Sequence, residues 1–437
     1  MEQKKITLIG AISMAVGTMV GASIFSIFGV GAQLAKQDLP ETFILAAFYA
    51  FAVAYSYMKF GKKIVSNAGP IAYILKGFGD SVLTGTLSVL MWLSYVVSIS
   101  LFAKGFAGYF LPLVGIETSA LSLGFTVVGV ISFFTVLNFF GSKAIGKAEF
   151  YIVLIKLAIL GVFIVFGFFT IKPELIAPSF DASHSSGMFH ASVIFFLSYM
   201  GFGLVTNMSE NMVNPKKNVS LAILISIIIV SIIYVSVALV AVGNLSLKEL
   251  IASQDNALAV AAKPFLGNFG FLLISIGALF SISSALNATL YGGANISYSF
   301  AKEGELPEIF ERKEWFGTNE GLYITAGLGM LFALLFNIGG VAAITSSVFT
   351  IIYIFVIISH IKLIKDIGGN SILLSLNLAL ISIVFLALLY YQWIDQRNVF
   401  YGTIVTFIVS FATEYLYRNI KSRKFVKMRF IKEKIGT

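Results

Sequence analysis

Cysteine is missing from the 437-residue chain, which excludes disulfides and thiolate metal sites. Charge is scarce as well: Asp, Glu, Lys and Arg make up 12% of the residues, where a soluble domain carries about a quarter. Histidine occurs three times. His184, His190 and His360 are scattered without metal-ligand spacing and are read as bare interfacial side chains, so no metal site is expected. What is plentiful is apolar surface: 58% of the residues are apolar and the mean hydropathy is +0.92. Such a chain does not stay dissolved alone. That excludes a cytosolic enzyme, a disordered scaffold and a nucleic-acid binder, despite a net charge of +9. On a membrane chain a positive balance belongs to cytoplasmic loops facing anionic lipid.

The opening Met-Glu-Gln-Lys-Lys runs into an apolar stretch longer than a signal-peptide core, with no small-residue cleavage pattern, so it is read as a retained first span. A bilayer core of about 30 Å takes roughly 20 helical residues. Apolar stretches between charge clusters predict about twelve spans: 6–34, 41–59, 79–110, 120–139, 148–170, 188–211, 219–243, 267–300, 322–337, 341–361, 371–391 and 398–417. Only Asn337 to Gly340 divide the ninth from the tenth. With the N-terminus inside, the cytoplasmic loops hold 15 Lys and Arg and the segment after the last span eight more. The external segments hold five: Lys36, Lys172, Lys248, Lys263 and Arg397. This bias predicts a multi-pass plasma-membrane protein with both termini cytoplasmic. Its basic tail would lie against the inner leaflet.

All eight prolines fall in loops or at span ends, so a mid-membrane interruption has to come from glycine. Two places qualify. Gly17-Thr18-Met19-Val20-Gly21-Ala22-Ser23-Ile24-Phe25 sits near the centre of span 1. That span has 30 uncharged residues between Lys5 and Lys36, about 45 Å as a straight helix. Span 6 carries Ser198-Tyr199-Met200-Gly201-Phe202-Gly203 near its middle. A single glycine serves equally well to let neighbouring helices approach. The pair is more specific, because spans 1 and 6 open two groups of five and an odd number of crossings inverts the second group. Interruptions at corresponding positions of inverted halves point to a midplane binding site. An unwound stretch offers amides at one half-helix and carbonyls at the other, which suits a zwitterion. The carboxylate would meet amides around Ala22, Ser23 and Ile24. The ammonium would meet carbonyls around Thr18 and Met19 and from Ser198 to Met200.

The first of these runs resembles the span 1 signature of the amino acid–polyamine–organocation (APC) transporters. A second stretch, from Phe195 through Gly201-Phe202 and Glu210-Asn211 to Asn214-Pro215-Lys216-Lys217-Asn218, is similar to that family's span 6 and following loop. Span count and orientation extend the resemblance over essentially the whole chain. It departs where the family's proline after the basic pair and Asn-Val is Ser220 here, a matter for the start of span 7. The resemblance implies an all-α membrane protein with the inverted five-plus-five LeuT-like fold, broken in helices 1 and 6, and two extra C-terminal helices. The halves would be residues 1–172 and 173–366, followed by helices 11 and 12 over 367–418 and the basic tail over 419–437. It also implies an amino acid substrate and no cofactor. The substrate would be held at Thr18, Met19, Gly21, Ala22, Ser23, Ile24, Ser198, Tyr199, Met200, Gly201, Phe202 and Gly203.

Lys156 lies seven residues into the uncharged window Phe150–Ile171, and an amine at a helix centre costs about 3 kcal/mol on insertion scales. Two readings stand. The stem snorkels back to the cytoplasmic surface, or the amine works inside the membrane. Some APC transporters carry a lysine at the matching position, where sodium-coupled relatives hold a sodium ion between spans 1 and 8. That resemblance implies partners at the Gly17 carbonyl and the hydroxyls of Ser281 and Ser284. Burial penalises a charged amine, so such a lysine exchanges its proton when water reaches it, and as an ammonium it repels Na⁺. The expectation is that Lys156 carries a coupling proton. Ser281 and Ser284 share a helix face, and helix–helix hydrogen bonding is their alternative role. Glu210 either joins an inner gate with basic loop residues or is solvated. Lys104 is expected to snorkel outward, and Ser246 to Lys263 to form a short surface helix.

These features predict a proton-coupled symporter of amino acids, broad in range and mainly neutral. Sodium-coupled or exchange transport is the nearest rival. No filter run, repeated charged ring, His-Glu-x-x-His, Gly-x-Ser-x-Gly or phosphate loop supports a channel or an intramembrane enzyme. The expected partners are the amino acid, protons and lipid, with no nucleic acid and the oligomeric state open.

Overall fold

A computed structural model describes residues 6–66, 69–139, 145–176, 182–253, 256–302, 306, 308–310, 312 and 320–420. The basic tail beyond residue 420, with Lys4, Lys5, Lys143 and Lys313, lies outside them. Among the described residues, 11 segments are long and apolar enough to cross a membrane, and the 16-residue apolar helix Glu320–Leu335 supplies a twelfth. The isolated contact of strand type is a parallel bridge between Ile6 and Met212. It ties the start of the chain to the segment after span 6, with Ile6 N bonded to Asn211 O at 2.7 Å and Val213 N to Ile6 O at 2.9 Å.

Span 1 comes in three pieces, Leu8–Met19, Ala22–Ser26 and Phe28–Ala35, interrupted at Val20-Gly21 and again at Ile27. Spans 2 to 5 are Leu39–Lys63, Val82–Leu113, Ala120–Phe139 and Ile145–Phe168. Span 6 is an α-helix over Ala182–Phe195, a 3₁₀ stretch over Phe196–Gly203 and a single α-turn over Leu204–Asn207. Span 7 is Pro215–Asn244, and span 8 is Lys263–Lys302 with a kink at Gly267. Spans 9 to 12 are Glu320–Leu335, Ile338–Lys362, Ser371–Asp395 and Arg397–Ile420. Between spans 2 and 3, where the span count predicts only a loop, stands a short helix, Pro70–Phe78. The expected surface helix after span 7 is two short ones, Leu247–Ala252 and Ala257–Ala261.

Local chemistry sets the ends. Pro40, Pro70 and Pro215 stand in first helical turns, where a missing N–H is no loss. The Asn214-Pro215-Lys216-Lys217-Asn218 run is a helix start: Asn214 is left-handed (φ 46°), and Asn218 Nδ2 donates back to Val213 O at 2.6 Å. Ser220, where the resemblance breaks, donates to Met58 O of span 2 at 2.8 Å. Asn337 caps span 10 by accepting from Gly340 N at 2.7 Å, which divides spans 9 and 10 where the sequence offered little.

Span 1 packs against span 6, span 2 against 7, span 3 against 8 and span 4 against 9, each with the crossing five places later. Spans 11 and 12 lean on span 10, span 11 also on span 2 and span 12 on span 3. Large apolar side chains such as Phe125, Leu376, Leu386 and Ile408 face outward from spans 4, 11 and 12, which is the lipid side of a membrane bundle.

Candidate functional site

Ending a helix at Met19 strips its last carbonyls of their i+4 partners. Val16 O still accepts from Val20 N at 2.8 Å. Three more are met by side chains from three other spans: Lys156 Nζ donates to Gly17 O at 2.5 Å, Tyr234 OH to Met19 O at 2.5 Å, and Ser281 Oγ to Val20 O at 3.2 Å. A bare carbonyl in the bilayer core costs several kcal/mol, so spans 5, 7 and 8 hold this interruption open. Lys156 is 1% exposed; its amine reaches span 1, and the stem does not snorkel to the surface. Ser284 is buried on the same face as Ser281.

Span 6 departs from the uncoiled stretch expected of it. Phe196–Gly203 tightens into a 3₁₀ helix, which keeps its backbone bonded i to i+3 while changing which groups point where. A 3₁₀ stretch leaves fewer peptide groups unbonded in the low-dielectric bundle than an uncoiled one would. The two interruptions touch. A Cβ at Gly201 would lie 2.8 Å from Met19 N and 3.1 Å from Thr18 C, so glycine is what lets the two backbones meet.

A cavity of about 180 Å³ lies against both interruptions. Thr18 lines it from span 1, and Ser198, Met200, Gly201, Gly203 and Asn207 from span 6 and its continuation. Tyr95, Ser98, Thr289 and Tyr353 complete the polar wall from spans 3, 8 and 10, and among the described residues no ionisable side chain other than tyrosine lines it. Ser198 Oγ is buried and has no hydrogen-bond partner in the protein. Of the other expected binding residues, Met19, Gly21, Ile24, Tyr199 and Phe202 are not among those lining the cavity. Tyr199 OH donates instead to Phe43 O at 3.1 Å, and the Phe202 ring packs on Tyr57 and Tyr353 at 5.3 and 5.9 Å. Ala22 and Ser23 open the five-residue helix Ala22–Ser26, and their side chains lie outside the described residues.

The cavity is one-sided. Toward the Lys63 end of span 2 it reaches Tyr57, Pro70 and Asn207. Gly69, at φ +57° and in direct contact with Asn207, brings Pro70 there; a side chain at 69 would be strained and would clash. Beyond the interruptions in the other direction, aromatic rings fill the bundle. Phe43 and Phe195 sit 4.2 Å apart, Phe25 meets Tyr109 edge-on at 6.2 Å, and Tyr109 OH donates to Phe25 O at 3.2 Å.

The remaining ionisable residues lie apart. Glu210 is exposed in the turn Ser209–Asn211, next to the Ile6 bridge. Lys104 is half-buried. His360 does stand in the last turn of span 10, at its inner end, but it is not bare: it is fully buried, with its ring nitrogens 3.1 Å from Ser56 Oγ and 2.9 Å from Gly368 O. Reading the sequence missed Tyr57, Tyr95, Tyr234, Tyr353 and Thr289. Nothing in their spacing singles them out among 42 Phe and 18 Tyr.

Two membrane crossings broken face to face around a small uncharged cavity, closed on one side, are the build of a carrier that moves solutes across a bilayer. Residues 6–412 match the amino acid permease family, and the chain belongs to it, a membrane transporter and not an enzyme. It is 61% identical, over 99% of both chains, to an uncharacterized protein of Methanocaldococcus jannaschii. It is 31% identical to the inner membrane transport protein YbaT of Escherichia coli, over 96% of this chain and 97% of that one. With the serine/threonine exchanger SteT of Bacillus subtilis it shares 24% identity over 70% of each chain.

Proposed function

We propose that the chain is a proton-coupled symporter of neutral amino acids in the plasma membrane, with both termini cytoplasmic and residues 1–172 and 173–366 acting as inverted halves. The observation that carries this reading is the buried Lys156 amine on Gly17 O, at the lip of the span 1 interruption. An ammonium grips a carbonyl more strongly than a neutral amine does, and burial penalises the charged form. Taking up or losing a proton at Lys156 therefore changes the hold on the segment that binds substrate. An ammonium there also repels Na⁺. The uncharged cavity wall and the unpartnered Ser198 hydroxyl favour a neutral zwitterion, its ammonium on carbonyls of the two interruptions. Glu210, on the side where the cavity reaches Asn207, belongs to the inner gate in this scheme.

The test is uptake into proteoliposomes with pH and Na⁺ gradients varied independently. The natural chain should respond to the pH gradient alone, and Lys156→Ala should lose at least about tenfold of that response, as expected when a hydrogen bond to a charged group is removed. Full pH-driven uptake by Lys156→Ala would strip Lys156 of its role, and Na⁺-dependent uptake by the natural chain would replace protons with sodium. The exchanger among its relatives gives exchange a footing as a second reading; acceleration by amino acid preloaded inside the vesicles distinguishes it.

A further inference from the structure

Where the turn between spans 9 and 10 meets the turn between spans 11 and 12, a second cavity opens, of about 590 Å³ against 180 Å³ for the central one. By the count of crossings it lies on the face opposite the Lys63 end of span 2. Its wall is dipolar. Asp395 and Arg397 both line it, stand exposed two residues apart, and among the described residues neither makes an ion pair. The Arg397 guanidinium carbon lies 5.3 Å from the ring centre of Trp393, a cation–π contact that steadies the group and leaves its N–H donors for a ligand. The first turn of span 12 adds backbone N–H groups without helical acceptors, and Gln396 Oε1 has no hydrogen-bond partner in the protein. The rim is of the opposite character. Leu335 and Ile394 are exposed and apolar, as is Trp393 beside them, and Leu334 and Leu331 continue the row along span 9. A soluble ion gains nothing from that row; an amphiphile does.

We infer that this cavity seats the headgroup of one phospholipid of the surrounding bilayer, a headgroup that carries both a phosphate and an ammonium. The phosphate lies on the Arg397 fork, whose planar N–H pairs match its oxygens, with the N–H groups that open span 12 beside it. The ammonium lies on the Asp395 carboxylate, and the acyl chains leave past Leu335 onto the outward side of span 9. A headgroup with a phosphate alone would satisfy Arg397 but bring its negative charge up against Asp395, so the carboxylate selects for the amine-bearing lipid. Trp393 suits the same level of the membrane, because indole rings favour the headgroup region. Lipid at this place is independent of what the central cavity carries.

The test uses the full-length protein in detergent, stripped of lipid and titrated with phosphatidylethanolamine, with the retained lipid counted by native mass spectrometry. The natural chain should hold one such lipid, and phosphatidylglycerol about tenfold more weakly. Arg397→Gln should weaken both lipids about tenfold, the size expected when a hydrogen bond to a charged group is removed. Asp395→Asn should erase the preference between the two lipids. Lys248→Gln, which changes an exposed lysine of the helix Leu247–Ala252 on the same face, should alter neither. Equal binding by Arg397→Gln and the natural chain, or equal binding of both lipids to the natural chain, overturns the inference. So does displacement of the lipid by an equal concentration of glycerophosphoethanolamine, which would make the cavity a site for a soluble phosphate ester. The intact chain gives a second answer should a variant fail to fold. A carbodiimide that condenses amine with carboxylate should link phosphatidylethanolamine to Asp395 ahead of the exposed Glu117 and Glu174 of the same face. Linkage that passes over Asp395 overturns the inference as well.

Discussion

Two serines near the interruptions show how one residue type does opposite jobs. Ser281 spends its proton on Val20 O, so it holds the protein together. Ser198 is buried with its hydroxyl unpartnered, and such a group costs about 1–3 kcal/mol when left dry. A fold keeps that penalty only where something else repays it. Ser198→Ala should therefore leave the thermal midpoint in detergent unchanged or raised, while affinity for the amino acid falls about fivefold, the lower range for one hydrogen bond to a ligand. Equal affinity in a binding titration would place the substrate elsewhere. At this scale the sequence was legible wherever a residue was out of character with its surroundings. Lys156 stood out as a charge in an apolar window, and Gly17, Gly21 and Ser23 as small residues where lipid demands a helix. Tyr234 and Tyr353 were not legible, because their parts depend on which way a ring points in a bundle full of rings.

Whole helices are anchored by contacts just as local. Arg418 stands in the last turn of span 12 and bonds to Glu414 at 3.0 Å and to Asp80, at the start of span 3. Glu414 is buried, and its carboxylate rests on Gly85 of span 3. Removing the arginine takes a cation away from that carboxylate in a nearly dry setting. Arg418→Ala should lower stability by about 2 kcal/mol, below the 3–5 kcal/mol of a fully buried pair because the guanidinium reaches solvent. Adding Glu414→Gln to the same chain should restore most of the loss, and chemical unfolding of both in detergent measures it. A double variant as unstable as the single one would show that Asp80 is the partner that matters. The ends of such helices were readable from prolines and charge clusters. The form of the span 6 interruption was not: sequence shows where an α-helix weakens, whereas the close contact with span 1 in the buried interior decides that a 3₁₀ helix takes over. The helix Pro70–Phe78 escaped notice because nine residues are too few to cross a bilayer.

The molecule as a whole is arranged so that each of the first four crossings lies against the one five places later, and its class was legible from composition alone. The side on which the cavity closes was not, since that follows from how Phe25, Phe28, Phe43, Phe195 and Tyr109 pack across four spans. Thickness is a further property of the whole. Span 9 has 16 residues and rises about 24 Å, against a hydrocarbon core of about 30 Å. Its Leu331, Leu334 and Leu335, all in its last turns, face outward, so at that end lipid and not protein meets it. Span 3, at 32 residues, is twice as long. The described apolar girdle around the protein is therefore shortest at one place, a notch where hydrophobic mismatch draws the adjoining leaflet inward by a few ångströms. Vesicles of short-chain lipid should support faster uptake and a higher melting temperature than vesicles of long-chain lipid, and the opposite order would mean that the notch is filled by something other than acyl chains. A carrier with such a notch reads the depth of the membrane it sits in, and thinner bilayers will hold it at lower elastic strain.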